Sequence, residues 1–287
     1  MTDHKKLIRL IRDLSVPLEP EPVRLTGIWE DLASRRPARG EFKAMLFDLY
    51  GTLFISAAGD IAAAPGEGGL GIRKDTEAAA VFFRKRVEQI HTEEKNRGNP
   101  WPEVAAEEIW ADYPGPIPRA WGRPGTLDSR ELALRYELAL NPVYPMPRCL
   151  ELIRTLTGRG MVLGIISNAQ FFSPLLFSAF FGASPVELGF DAGLLIYSFE
   201  NREAKPSPRL FIQARSVLAQ RGIAPEETLY IGNDMRKDIV PASAAGFKTA
   251  LFAGDRRSLR LREEDPACAG CKPDLVLRDL QSLIRTR

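Results

Sequence analysis

The chain has 287 residues, 45% apolar and 26% charged, an ordinary globular composition with room for one large domain or a core plus a smaller companion. Lys and Arg number 39 against 37 Asp and Glu; the net charge of +2 excludes nucleic-acid binding driven by an overall positive field. No apolar run approaches the ~20 residues of a membrane helix, and three cysteines make no disulfide framework, which points to a cytoplasmic setting.

In chain order, the basic N-terminus lacks the ~7–15-residue apolar stretch of a secretory signal. Its Leu7, Ile8, Leu10, Ile11 and Leu14 predict a short amphipathic helix over 5–14 that packs against its own core. Pro17, Pro20 and Pro22 then impose extended or turning backbone, so residues 1–40 read as an N-terminal extension. Residues 42–47 form a buried strand ending at Asp48, and the Gly- and Ala-rich stretch 59–71 reads as a flap or hinge. Helices are expected over 75–95, 102–112 and 128–140, with a Pro- and Gly-rich loop at 113–125. A second hinge is expected at 141–145. Beyond Met146, helices alternate with strands. Helices are expected at 147–156, from Ser173–Pro174 through Phe181, at 208–220 and at 238–245. Strands are expected at 162–166, 194–199, 228–231, 248–252 and 275–277.

This alternation predicts an α/β fold, a Rossmann-like, mostly parallel core sheet with helices on both faces, plus a small all-helical cap domain. The core takes residues 41–65 and 143–287, and the cap 66–142. In such sheets reactive groups sit at the carboxyl ends of strands. That rule selects Asp48, Ser167, Asn168, Asn233 and Asp234, with Lys205 in the loop before the 208–220 helix and Asp238 nearby.

A carboxylate in such a cleft can attack an electrophilic centre and form a covalent intermediate. If the centre is phosphorus, the gathered negative charge needs a divalent cation and a lysine. Mg²⁺ takes oxygen ligands, commonly one or two carboxylates, and Asp48 with Asp234 or Asp238 would suit it. Thr52 or Ser167 would donate hydrogen bonds to phosphoryl oxygens, and Lys205 would neutralise charge. Gly51 would let the chain turn tightly.

Asp48–Leu49–Tyr50–Gly51–Thr52–Leu53, then Ile166–Ser167–Asn168, then Lys205–Pro206 with Phe211, then Ile231–Gly232–Asn233–Asp234 with Asp238, resemble the four ordered motifs of the haloacid dehalogenase superfamily. The resemblance covers about 42–252 and places the helical zone as a cap inserted after the first core strand. It implies a hydrolase with Asp48 as nucleophile, Thr52 and Ser167 on the transferred group, and Lys205 balancing charge. Tyr50, Gly51 and Asn168 would meet the substrate. A Mg²⁺ ion would be held by Asp48, the Tyr50 carbonyl, Asp234 and Asp238.

One position departs from the pattern. Most phosphatases of the superfamily carry a second Asp two residues after the nucleophile for proton transfer, and this chain has Tyr50 there. Losing such a group typically costs ~10²–10⁴ in rate. Asp–x–Tyr–Gly–Thr also resembles the 2-haloacid dehalogenases, which need no metal. Those enzymes carry Tyr where Phe211 stands and a serine-rich last motif. The resemblance implies Mg²⁺-dependent hydrolysis of a small, soluble, anionic phosphoester, with metal-free dehalogenation or a weakly catalytic binding protein as alternatives. A nucleic-acid or membrane partner is not expected, and a monomer or homodimer is equally compatible. Cys268 and Cys271 read as a surface loop, because zinc normally takes four ligands and no second pair exists.

Overall fold

A computed structural model describes residues 3–34, 42–61, 76–118, 121 and 127–284; the start of the expected cap and most of the 59–71 flap lie outside them. Strand β1 (Ala44–Phe47) is buried at every residue. A strand apolar on both faces belongs inside a covered sheet. β1 is the third of six parallel strands, in the order β5 (Phe190–Tyr197), β4 (Val162–Ser167), β1, β6 (Thr228–Gly232), β7 (Lys248–Phe252), β8 (Leu275–Leu277). The pleat sends Met45 and Phe47 into one apolar cluster and Ala44 and Leu46 into another. The second cluster is covered by α9 (Pro208–Gln220) and α10 (Val240–Ala244), and the first holds residues of α6 (Cys149–Gly158) and α7 (Leu175–Phe181). Both faces are therefore closed.

The N-terminal segment is built into this body. Helix α1 (Asp3–Leu14) buries Leu7 and Ile11 completely against α7 and the cap helix α5 (Ser129–Leu140). Arg12 donates to the Ala179 and Ser178 carbonyls, while Lys6 pairs with Glu131 at 2.5 Å and Asp3 with Arg130 at 2.9 Å. Helix α2 (Ile28–Ala33) packs at the β8 edge, with Leu32 beside Leu251 and Val276. The cap adds α3 (Glu77–Asn96) and α4 (Ala106–Ala111), which share an aromatic cluster of Phe83, Trp110 and Tyr136 with α5. Among the described residues no helix is long and apolar enough to cross a membrane.

Four local expectations change. The strand expected at 194–199 begins earlier, at Phe190, and stops at Tyr197, where α8 (Ser198–Asn201) starts. Leu163 pairs with Phe190 but Ile165 with Leu195, so β5 bulges, and Asp191 Oδ1 accepts from the Gly193 amide within the bulge. The helix expected over 102–112 shrinks to α4. Residues 101–104 lie instead along 202–204, with Glu103 N donating to Arg202 O at 3.2 Å and Ala204 N to Trp101 O at 2.8 Å. The helix expected at 238–245 is split into a π-helical turn, Met235–Ile239, and α10. Finally, β2 (Phe54–Ser56) and β3 (Val143–Pro145) pair antiparallel and join core to cap, where only a hinge was expected. Fully buried Asn141 locks this ribbon. Its Oδ1 accepts from Ser56 Oγ and the Ala58 amide, and its Nδ2 donates to Glu137 Oε1.

Candidate active site

The end of β1 delivers Asp48 to the centre of the sheet's carboxyl edge, where its amide still donates to Ile231 O. The chain then doubles back at once, because the Leu49 carbonyl accepts from the amides of Thr52, Leu53 and Phe54. Gly51 makes this turn possible. Its φ is +82°, and a Cβ there would collide with Ser258. The Tyr50 phenol that follows Asp48 is bound to Ser173 Oγ, 2.8 Å away. Burial and the Glu137 charge push that phenol well above its ordinary pKa, so it stays protonated, with its hydroxyl engaged by Ser173.

Lys205 is the hub. Its ammonium lies 2.7 Å from Asp48 Oδ1 and 2.6 Å from Asp238 Oδ1, and also donates to Tyr230 Oη and Ile166 O. Asn168 Oδ1 fixes its position by accepting from the Lys205 amide at 2.7 Å. Lys205, Asp48 and Asp238 are all buried, so each charge depends on its partners. Burial alone would lower Lys205, but Asp238 and Asp48 hold it above its ordinary value. Burial raises Asp48 to about 6 against the pull of Lys205, and the like charge of Asp238 adds to the rise. Two carboxylates account for the rise at Lys205; burial, only partly offset by the one shared ammonium, accounts for the rise at Asp48.

Asp238 has no oxygen to spare. Oδ1 accepts from Lys205 and Tyr230, and Oδ2 accepts from the amides of Asn233 and Asp234. The π-helical turn folds it back beneath Gly232, where any Cβ would strike its carboxyl group. Asp234 caps that turn by accepting from the amides of Arg236 and Lys237, and it pairs with Arg262 at 2.7 Å. Thr52 and Ser167 are fully buried; Thr52 Oγ1 donates to Asn233 Oδ1, while the Ser167 hydroxyl lies 3.1 Å from Asn168 O and within hydrogen-bond reach of the Asp48 carboxylate, opposing the rise in its pKa.

Of the residues selected from sequence, Asp48, Tyr50, Asn168, Lys205, Asn233, Asp234 and Asp238 line one cavity, and Gly51, Thr52 and Ser167 are not among its lining residues. Sequence reasoning missed Asp60, Lys237 and Arg260 in the same wall. Asp60 forms an ion pair with Lys237. Burial alone would raise Asp60, but Lys237 and the Ile61 amide hold it below its ordinary value. Lys237, one residue before Asp238, had a signal in its position; Asp60, within the Gly- and Ala-rich stretch, had none.

Asp60, Asn168, Lys205 and Lys237 line both this cavity and a chamber of about 410 Å³ beneath the cap. Its walls include Phe83, Val87, Trp110 and Tyr136, with Glu103 between them and the core. The volume is in the usual range for a small-molecule site.

A model of the haloacid dehalogenase-like hydrolases matches residues 42–246, most of the chain. The chain belongs to that family. This hydrolase is 30% identical over 208 residues to a phosphoserine phosphatase of Thermus thermophilus, covering 64% of its own length and 76% of the relative's. Its fold is similar to a solved L-2-haloacid dehalogenase, with TM-score 0.51 and 20% identity over 85% of this chain and 97% of that one. A solved phosphatase of the same superfamily from Thermococcus onnurineus aligns at TM-score 0.44 and 17% identity, over 84% and 96% of the two chains.

Among the described residues no three His, Cys, Asp or Glu side chains gather as a metal cluster. Of the carboxylates lining the cavity besides Asp238, Asp48 is bound by Lys205, Asp60 pairs with Lys237 and Asp234 with Arg262. That set of hard oxygens fits Mg²⁺, which commonly takes one or two carboxylates and fills the rest of its octahedron with water and phosphate oxygens. Asp238, saturated by four hydrogen bonds, is a support for Lys205 rather than part of that set. Cys268 and Cys271 are unpaired thiols raised by burial.

Proposed function

We propose that this hydrolase cleaves a small, soluble phosphomonoester through a covalent intermediate on Asp48. The observation that carries the reading is Lys205 Nζ, 2.7 Å from Asp48 Oδ1 and 2.6 Å from Asp238. A buried carboxylate at a cavity wall, held ionised by an ammonium, is a nucleophile prepared for an electrophilic phosphorus. Lys205 and Lys237 bring positive charge to the anionic group, and the chamber under the cap would take the alcohol portion. Similarity to a chain named phosphoserine phosphatase supports phosphoester chemistry.

Mg²⁺ would be held by Asp48, the Tyr50 carbonyl and Asp234, where it would offset charge on the transferred group. Asp48 attacks, Lys205 keeps it ionised and oriented, and Asn168 holds Lys205 in place. Thr52 braces Asn233, and Ser167, hydrogen-bonded to Asp48, would meet the transferred group beside it. The protein would work in the cytoplasm as a monomer or homodimer, with its small anionic substrate as partner.

The test is hydrolysis of 4-nitrophenyl phosphate with Mg²⁺, with chelator, and by Asp48→Asn. Turnover lost on chelation and in the variant is expected. Turnover unchanged in Asp48→Asn would sink the reading. Halide release from a 2-haloacid, indifferent to chelator, would move the assignment to dehalogenation.

A further inference from the structure

An alkyl phosphate loses an alkoxide, a strong base, and its departure needs a proton donor within hydrogen-bond reach. Among the described residues of the core, none lining the cavity has that role open. The Tyr50 phenol is bound to Ser173, Asp60 is kept ionised by Lys237, and Lys205 is shared among Asp48, Asp238 and Tyr230. The cap side offers Glu103. It lines the chamber together with Asp60, Asn168, Lys205 and Lys237, which also line the Asp48 cavity.

Glu103 is held there by three elements. Its own amide donates to Arg202 O, two residues from the Ala204–Lys205 segment. The Val104 amide donates to Oε1 at 2.9 Å, and Ser198 Oγ lies 2.6 Å from Oε2. Ser198 Oγ also accepts from the Ala169 amide at 2.9 Å and lies 3.3 Å from Ala169 O. With a single hydrogen, the serine either donates to an ionised Glu103 or accepts from a protonated Glu103 and donates to Ala169 O. The site therefore accommodates both protonation states without an unpaired group.

We propose that Glu103 is the acid–base residue of this hydrolase, supplying from the cap the proton transfers that Tyr50 cannot supply from the core. The proposal rests on the phosphomonoester reading above. In the first step Asp48 Oδ bonds to phosphorus and the P–O(ester) bond breaks. Its electron pair stays on the ester oxygen, which takes the Glu103 proton and leaves as alcohol. In the second, Glu103 carboxylate takes a proton from water as the water oxygen bonds to phosphorus. The P–O(Asp48) bond breaks, the pair returns to Asp48, inorganic phosphate leaves and Glu103 is again protonated.

The electrostatics agree. Burial raises Glu103 to about 7, against the hydrogen bonds from Ser198 and Val104; the Asp60 charge raises it further and Lys237 opposes. The other titratable and charged groups of the chamber are Lys205 from the core and Arg84, Glu88, His91, Tyr136 and Glu137 from the cap. A carboxyl group near 7 exchanges protons in both directions at neutral pH.

The experiment compares Glu103→Gln with the unmodified enzyme on two probes, phosphoserine with a strongly basic leaving group and 4-nitrophenyl phosphate with a weakly basic one. kcat/KM reports transfer to Asp48. It is expected to fall ~10²-fold or more on phosphoserine and less than ~5-fold on the nitrophenyl ester. The nitrophenyl ester should also show a burst followed by slow turnover, because the second step has lost its base. Retained kcat/KM on that ester also proves that the variant is folded. Equal losses on both probes, or no loss on phosphoserine, would overturn the proposal. An unmodified enzyme silent on both would overturn the phosphomonoester reading and this proposal with it.

Discussion

Lys205 is a single ammonium between two buried carboxylates, and that arithmetic decides what substitutions there do. Lys205→Met leaves Asp48 and Asp238 facing each other without a cation. Breaking a buried pair in this way costs about 3–5 kcal/mol, so the variant should unfold at much lower denaturant and show no turnover. Tyr50→Phe removes only the contact to Ser173, and should cost roughly 1 kcal/mol with kcat within about threefold. A large kcat loss there would make the phenol part of the chemistry. The Asp60–Lys237 pair is partly exposed and contributes less. Because Asp60 is held below its ordinary pKa, its contribution is full above that ordinary value and fades as pH falls through the folded one. Asp60→Asn should therefore cost up to ~1 kcal/mol in denaturant at pH 7 and progressively less toward pH 3. An equal cost at both would mean packing, not charge. Asp48, Lys205, Asn168 and Asp238 were legible in sequence because strand ends and motif spacing mark them. Asp60 and Glu103 were not, since loops of no fixed spacing bring them to the cavity.

At the scale of elements, the order of strands and helices was legible because a buried parallel strand and an amphipathic helix have different apolar periods. What escaped were departures from regularity. The β5 bulge depends on register against β4, and the π-helical turn on the Asp238 carboxylate returning to the Asn233 and Asp234 amides. The second is short-range but leaves no mark in the apolar period, and the first is not local in sequence. The β2–β3 ribbon escaped for the same reason, since its strands lie on either side of the cap. Asn141 ties that ribbon through three side-chain hydrogen bonds. Asn141→Ala would leave buried donors at Ser56 and Ala58 unpaired, at about 1–3 kcal/mol each. A midpoint shift of that size is expected, together with faster proteolysis near residues 56–61. A shift below ~0.5 kcal/mol would mean that water replaces the amide.

At the scale of the whole molecule, helix α1 touches both halves. Its apolar stripe lies on α7 of the core and α5 of the cap, with Lys6 and Asp3 paired to cap residues and Arg12 bound to core carbonyls. Such a helix resists separation of the two bodies as well as adding burial. Leu7, Leu10 and Ile11 are buried, and each contributes roughly 1.5–3 kcal/mol when enclosed. Removing residues 1–16 should therefore destabilise the chain by at least ~4 kcal/mol, and lower Tm by roughly 10 °C for a protein of this size. It should also change KM more than kcat, since cap position shapes the chamber but leaves Lys205 on Asp48. A helix kept for docking to a membrane or partner would give the opposite pattern, with stability and KM unchanged on truncation. Calorimetry and steady-state kinetics on the same truncated protein separate the two roles.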